Sequence, residues 1–397
     1  MKIYKNTKVF TNDIEESAWQ QVKEVSDQDF LKDSKIRIMP DCHSGAGCVI
    51  GFTATIKDKI VPNLVGVDVG CGMRCVKLAE HFIDYQKLDY VVHQYIPSGF
   101  NVRSTEHENI QKVPLFDLNI FDAMNQINWH RIRLSLGTLG GGNHFIEVDR
   151  SEQGNYYLVI HSGSRNLGVQ VAKYYQKLAI DECQRNQKQI NSLIYFLKKN
   201  NQDQDIESRI LEFKKSHIKP KKELCYVSST SMRDYLHDMK IAQQFAYLNR
   251  KTMADVILKQ MGWHETDRFD SVHNYIDLDA MIVRKGATAA YNGQRLIIPL
   301  NMRDGSIIAK GKGNTDWNCS APHGAGRRMS RHQAKNTLSL DEFKSSMRGI
   351  YSTSISMQTI DEAPFAYKPS QEIIDLIGNT VKIDRIIKPV YNFKAEI

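Results

Sequence analysis

The chain has 397 residues, of which 41% are hydrophobic and 25% charged, with a mean hydropathy of −0.44. This balance fits a soluble globular protein with a sizeable core; no apolar run is long enough to span a membrane, and MKIYKNTKVFTNDIEES lacks the apolar stretch of a secretory signal, so a cytoplasmic protein with no membrane partner is expected. The net charge of +8 suits a polyanionic partner and plain solubility equally, and seven cysteines without a secretory signal argue against a disulfide scaffold.

In chain order, residues 36–76 alternate short apolar runs with glycine, a pattern of strands and turns. Residues 76–95 read as a crossover containing a helix, and 135–165 as a second block of strands and turns. The stretch 167–199 has the period of a long amphipathic helix, and 200–224 is polar and ends in a basic loop. A second long helix is expected over 231–261, with Ser231 and Asp234 as its capping signal and Gly262 as its stop. Strands and hairpins follow through SVHNYIDLD and VRKGATAAYNGQRLIIPLNMRDGSIIAKGKG, and SAPHGAGRRMSRHQAKN opens a helix. With no repeat and no clear linker, the simplest reading is one α+β domain over 1–397, with a β-sheet core, surrounding helices and a helical insertion near 167–262. Two domains remain the alternative.

The chemistry-bearing residues concentrate in the turns. Of thirteen histidines, five sit in small-residue turns, mostly beside an apolar run: His43, His144, His161, His273 and His323. A strand fixes the backbone there, and small neighbours clear space around the ring. The run LVGVDVGCGM ends in Asp68 and Cys71, a carboxylate and a thiol three residues apart. Together with His144, His161 and His273 they make a mixed hard and soft ligand set suited to Zn²⁺, Mn²⁺ or Fe²⁺ rather than Mg²⁺ or Ca²⁺. Cys42, His43, Cys48 and Cys75 form a competing set whose spacing fits no zinc-ribbon pattern well. Three glycine-rich stretches, at 44–47, 137–143 and 323–327, have the backbone freedom to cradle phosphate, as tight turns also do. The best of them, HGAGRRMSR, sets Arg327 and Arg328 at an expected helix start. None matches a P-loop or a dinucleotide-binding fingerprint.

The motifs MPDCHSGAGCVIG, VGVDVGCGM, LGTLGGGNHFIE, VIHSGSRNLG, VHNY, VRKGAT, GKGN and SAPHGAGRRMSR, in this order, resemble those of the RtcB family of RNA-splicing ligases, from about residue 36 to the C-terminus. The resemblance implies an enzyme that uses GTP and Mn²⁺ to join an RNA 2′,3′-cyclic phosphate or 3′-phosphate end to a 5′-hydroxyl end, in RNA repair or tRNA splicing. It implies two manganese ions, one on Asp68, Cys71 and His144 and one on Cys71, His161 and His273, with the thiolate bridging. It implies a GTP site at Asn143, His144, Phe145, Ile146, Glu147, His273, Asn274, Pro299, Leu300, Asn301, Met302, Ser306, His323, Gly324, Ala325, Gly326 and Lys394, with Glu147 facing the guanine edge. Lys394 matches a lysine expected to carry the guanylate, leading to an RNA-3′-pp-G intermediate, with its aromatic neighbours Tyr391 and Phe393 expected to bury it. His323 is expected to orient or protonate near the phosphate, and its family counterpart has also been described as the guanylylated residue.

One departure stands out. Where the family carries a turn of small residues after IIP, this chain has LNMRDGS, with Arg303 and Asp304 expected near the nucleotide. That leaves open a manganese-dependent phosphoesterase that opens cyclic phosphates and ligates poorly, and a catalytically silent RNA-binding protein. An accessory activator protein is also left open.

Overall fold

A computed structural model describes residues 1–123, 127–200, 202–209 and 220–395. Helix and sheet are mixed, and two sheets carry the architecture. The larger has seven strands in the order Glu265–Val272, Gly72–Leu78, Tyr156–Ser162, Phe145–Ser151, Val381–Lys394, Gly305–Gly311 and Arg295–Asn301. All their pairings are antiparallel. The second has six strands, running from Lys2–Tyr4 through Thr7–Val9, Ile36–His43, Ile50–Thr55 and Ile282–Lys285 to Asn274–Asp277.

The apolar run YYLVI accounts for the centre of the larger sheet. Every residue of Tyr156–Ser162 is buried, as a strand covered on both faces requires. The register then lines up the strand ends. Val272 pairs with Gly72, Gly72 with Ser162, Phe145 with His161, and Lys394 with Phe145. Cys71, His144, His161, His273 and Lys394 therefore stand at one end of five consecutive strands. Pro389 sits where the last of these strands shifts register, the kind of position a residue without an N–H tolerates.

The two long helices span Arg165–Lys199 and Ser229–Met261. Each begins two residues before its expected start. The second is preceded by Ser228 rather than capped at Ser231, whose hydroxyl donates to Glu182 instead; it ends as expected at Gly262, in the left-handed conformation at φ 72°. Its buried face (Tyr235, Met239, Phe245, Met253, Ile257) joins the two largest apolar clusters, so it is part of the core. The helix expected from HGAGRRMSR spans only Arg331–Thr337, capped by Ser330, so Arg327 and Arg328 precede it. Residues 201 and 210–219 of the expected polar loop lie outside the described residues. No helix among the described residues is long and apolar enough to cross a membrane.

Candidate metal and nucleotide site

The turn Asp68–Cys71 is held by its neighbours on three sides. Gly70 has φ 74°, and a Cβ there would lie 2.9 Å from the backbone of Gln243 on the long helix. Asn274 accepts from Gly286 N at 2.8 Å, and its own carbonyl receives Gly70 N at 2.7 Å. The Cys71 carbonyl receives His273 N at 2.9 Å. Asp68 needs a glycine opposite it: a Cβ on Gly163 would lie 2.1 Å from its carboxylate.

Around this turn the ligand atoms converge. The Cys71 Sγ lies 3.4 Å from His144 Nε2 and 3.3 Å from His161 Nε2. His161 Nε2 lies 3.3 Å from His273 Nε2, and His144 Nε2 is 2.9 Å from Asp68 Oδ2. The outer ring nitrogens of two of these histidines are committed to backbone carbonyls: His144 Nδ1 donates to Leu139 O at 2.9 Å and His161 Nδ1 to Asn143 O at 3.1 Å. That fixes the tautomer and turns the lone pairs of both Nε2 atoms inward. Burial, reinforced by the neighbouring cations and rings, holds His161 and His273 neutral, far below the usual imidazole range. Burial and the Asp68 charge push the Cys71 thiol well up, so it ionises only beside a compensating cation. Lone pairs collected in a buried site are what a divalent ion satisfies, so the donor set fits a metal. Cys71, His144 and His161 are the one group of three or more such ligand atoms within 4.8 Å of one another among the described residues. The competing set of Cys42, His43, Cys48 and Cys75 is not assembled. Burial lowers the His43 imidazole to about 4, and its Nδ1 is spent on Asp41 O at 3.0 Å.

A cavity of about 490 Å³ opens beside this cluster. Its wall includes Asp68, Cys71, His161 and His273, and also Asn143, Phe145, Glu147, Asn274, Pro299, Leu300, Asn301, Met302, His323, Gly324, Ala325, Gly326 and Lys394. Ile146 is not on the wall; it points to the opposite face of its strand, into an apolar cluster. Ser306 is fully buried and also absent from the wall. In the turn that departs from the family pattern, Leu300, Asn301, Met302 and Gly305 line the cavity, but the two altered residues, Arg303 and Asp304, do not. Arg303 and Asp304 pair at 2.8 Å, and Asp304 also receives Asn301 Nδ2 at 2.9 Å and Ser370 Oγ at 2.6 Å. The altered pair thus closes its own turn.

Lys394 has a partner that sequence reading missed. Its ammonium, 5% exposed, lies 2.7 Å from Glu362 Oε2 and 5.3 Å from the centre of the Phe145 ring. Glu362 also receives Arg331 at 2.7 Å, Arg327 at 3.3 Å and the Tyr367 hydroxyl at 2.6 Å. Burial alone would raise this carboxyl, but Lys394, Arg331 and Arg327 outweigh it and hold it at about 2. Tyr391 and Phe393, expected to bury the lysine, alternate to the other face and join a different cluster. The signal for Glu362 was present in QTIDEAPF, two adjacent acids among small and apolar residues, but nothing local says what they face.

His323 sits differently. Its Nδ1 donates to the fully buried Asp41 at 2.7 Å, and its ring centre is 4.9 Å from that of His273. The second missed group is the pair Asn249 and Arg250 on the long helix. Asn249 Oδ1 accepts from Gly137 N at 2.7 Å and Thr138 N at 3.0 Å, and its Nδ2 donates to Thr138 O, Ser162 Oγ and Gly163 O, each at 3.1 Å. Arg250 Nη1 donates to Gly70 O and Ser162 O, each at 2.9 Å. One helical turn thus ties together the three loops that carry Asp68, Cys71, His144 and His161.

A buried histidine–thiol–carboxylate cluster that could hold a metal ion thus opens into a nucleotide-sized cavity, at the aligned ends of the antiparallel sheet. The model of one family, described as tRNA-splicing ligase RtcB, matches residues 21–120 and 117–395, and the chain belongs to the RtcB family. It is 28% identical to the RNA-splicing ligase RtcB of Escherichia coli K12 over 429 residues, covering 96% of this chain and 95% of that protein. It is 27% identical to the tRNA-splicing ligase RtcB of Aeropyrum pernix over 440 residues, covering 88% of this chain and 85% of that protein.

Proposed function

We propose that this RtcB-family protein is a GTP-dependent RNA ligase that joins 2′,3′-cyclic phosphate or 3′-phosphate ends to 5′-hydroxyl ends. The observation that carries this reading is the shared cavity: one wall holds the metal-ligand cluster, and the others hold Glu147, His323 and Lys394. Asp68, Cys71, His144, His161 and His273 would hold manganese, which when bound supplies charge neutralisation and an activated water for opening a cyclic phosphate.

A 3′-phosphate is anionic and has no good leaving group. Capping it with GMP forms a phosphoanhydride, from which GMP departs when the 5′-hydroxyl attacks. The protein first has to take GMP from GTP. We assign that nucleophile to His323 rather than Lys394. An amine attacks phosphorus only when neutral, and the Lys394 ammonium is committed to Glu362 in a buried ion pair. His323 has Nδ1 held by Asp41, which in the neutral ring places the lone pair on Nε2, and its ring packs against that of His273. Its Nε2 forms the bond to the α-phosphorus as pyrophosphate leaves. Lys394, paired with Glu362 on the cavity wall, would offset phosphate charge. Glu147 accepts from the guanine edge. The LNMRDGS turn gives no support to the phosphoesterase alternative, because Arg303 and Asp304 bind each other.

The test is incubation with GTP, Mn²⁺ and a two-piece RNA carrying 2′,3′-cyclic phosphate and 5′-hydroxyl ends, with α-phosphate-labelled GTP in parallel. Ligated product and labelled protein are expected. Phosphate opening without joining would establish the phosphoesterase instead. His323→Ala should take no label, whereas Lys394→Ala should still label at saturating GTP; the reverse pattern would return the nucleophile to Lys394.

A further inference from the structure

On the strand Phe145–Ser151, side chains alternate between faces, so Glu147 and Asp149 stand side by side. Both are buried, Glu147 at 2% and Asp149 at 0% exposed, yet their surroundings differ. Glu147 Oε2 receives the Asn392 amide from the neighbouring strand, and Glu147 reaches the cavity wall near Lys394. Neither oxygen of Asp149 meets an N–H or O–H donor. Its partners in register are Tyr157 and Pro389, and proline has no N–H to give.

The donors around the pair are spent elsewhere. Lys388 Nζ donates to Asp304 O at 3.0 Å and Lys394 Nζ to Glu362 at 2.7 Å, and the Tyr157 hydroxyl, which accepts from Arg385 at 2.9 Å, makes no bond to Asp149. A further titratable neighbour is the buried Cys75, itself a thiol pushed well up by burial and then by Asp149. A buried carboxylate without donors is costly, so Asp149 keeps a proton. Burial, then the adjacent Glu147, pushes its carboxyl well above the ordinary range, and burial raises Glu147 less far because Asn392 and Lys394 favour its charge. Two carboxyls bond only when one is protonated, and here the proton belongs on Asp149.

The division matters for the nucleobase. An ionised carboxylate offers only acceptors, the complement of guanine N1–H and N2–H₂. A protonated carboxyl offers one donor and one acceptor, the complement of adenine N1 and N6–H₂. We propose that Asp149 is a positioning residue for base choice: its O–H donates to Glu147 and keeps Glu147 a pure acceptor at the cavity wall, selecting guanine over adenine. The assignment rests on Glu147 being the group that reads the base.

The test is calorimetric affinity for GTP and ATP, in the presence of Mn²⁺ and across pH 6 to 8.5, for the wild type, Glu147→Gln, Asp149→Leu and Asp149→Asn. In Asp149→Leu the lone buried Glu147 takes the proton, so GTP affinity should fall about 10- to 100-fold, the scale of a bond to a charged group, and recover as pH rises. Asp149→Asn supplies an N–H donor in place of the O–H and should stay within about 3-fold of wild type, a rescue that a merely packing role would not give. Equal discrimination and pH profile in wild type and Asp149→Leu would overturn the proposal, as would a loss in Asp149→Asn matching that of Asp149→Leu. Unchanged discrimination in Glu147→Gln would overturn the base-reading role and this assignment with it. Should Asp149→Leu fail to fold, infrared spectroscopy decides: a protonated carboxyl band near neutral pH is expected in the wild type and not in Asp149→Asn, and its absence from the wild type overturns the proposal.

Discussion

Asp41 Oδ2 accepts from both Nδ1 and the backbone N of His323, at 2.7 and 3.2 Å. One carboxylate therefore fixes the ring, its tautomer and the loop that carries it. Asp41 comes from the six-stranded sheet, in the strand Ile36–His43. His323 follows the short strand Ser320–Pro322, which pairs with Ala287–Ala289. Replacement Asp41→Leu would remove the acceptor of both bonds, so that nothing holds the proton on Nδ1 and keeps Nε2, the atom assigned to attack, free of it. Labelling by α-phosphate-labelled GTP should fall about 10²- to 10⁴-fold, the range set by tautomer loss in acid–histidine pairs. Nucleotide affinity should change far less, and the two measurements together separate the effect from misfolding.

Cys71 Sγ lies within 3.4 Å of both His144 Nε2 and His161 Nε2. Cys71→Ala should remove at least one bound metal, read by elemental analysis, and abolish ligation, because a single substitution takes a ligand from two neighbouring positions. Full metal content and activity in this variant would defeat the bridging role.

Glu362 carries a pH signature. Its carboxyl is held at about 2 in the folded protein, against an unfolded value of about 4.3. A depressed folded value contributes stability that is present above the unfolded value and is lost as pH falls toward the folded one. The wild-type melting temperature should therefore decline between about pH 4.5 and pH 2 partly through this group, and Glu362→Gln should flatten that part of the curve. Glu362→Ala leaves Lys394, Arg331 and Arg327 facing one another and should cost about 3–5 kcal/mol at neutral pH, read by chemical denaturation.

Asn249 touches no ligand side chain, yet it makes five hydrogen bonds to the loops that carry them. Asn249→Ala should cost about 2–3 kcal/mol of stability and weaken metal binding about 10- to 100-fold, measured by chelator competition. Unchanged metal binding in this variant would show that the loops are held by other means.

The family resemblance implies a place near the nucleotide for Asp304. Its carboxylate instead closes its own turn through Arg303, Asn301 and Ser370. Asp304→Thr should therefore leave GTP affinity within about 2-fold of wild type, with a stability loss of about 1–2 kcal/mol. A rise in affinity beyond that would place the charge back in the site.

The ligand turns and both long helices were legible in the sequence, because their signals are local. Glycine marks where the chain bends, apolar runs mark strands, and chemistry-bearing side chains in such turns have no packing role to explain them. LVGVDVGCGM, GGGNHF, VIHSGS and VHNY each announced a residue that the structure gathers around Cys71. Strand registers and the faces of partly polar strands were not legible. Tyr391 and Phe393 looked like the cover for Lys394 because they adjoin it in sequence, yet a period of two sends them to the other side of the sheet. The partners that decide charge lie far away along the chain: Glu362 is 32 residues from Lys394, Asp41 is 282 from His323, and Asn392 is 245 from Glu147. The sequence alone therefore determined which residues are candidates to hold a metal and a nucleotide. Only the tertiary structure decided which of them keep a proton and which keep a charge, because that balance depends on burial and on donors brought in from distant strands.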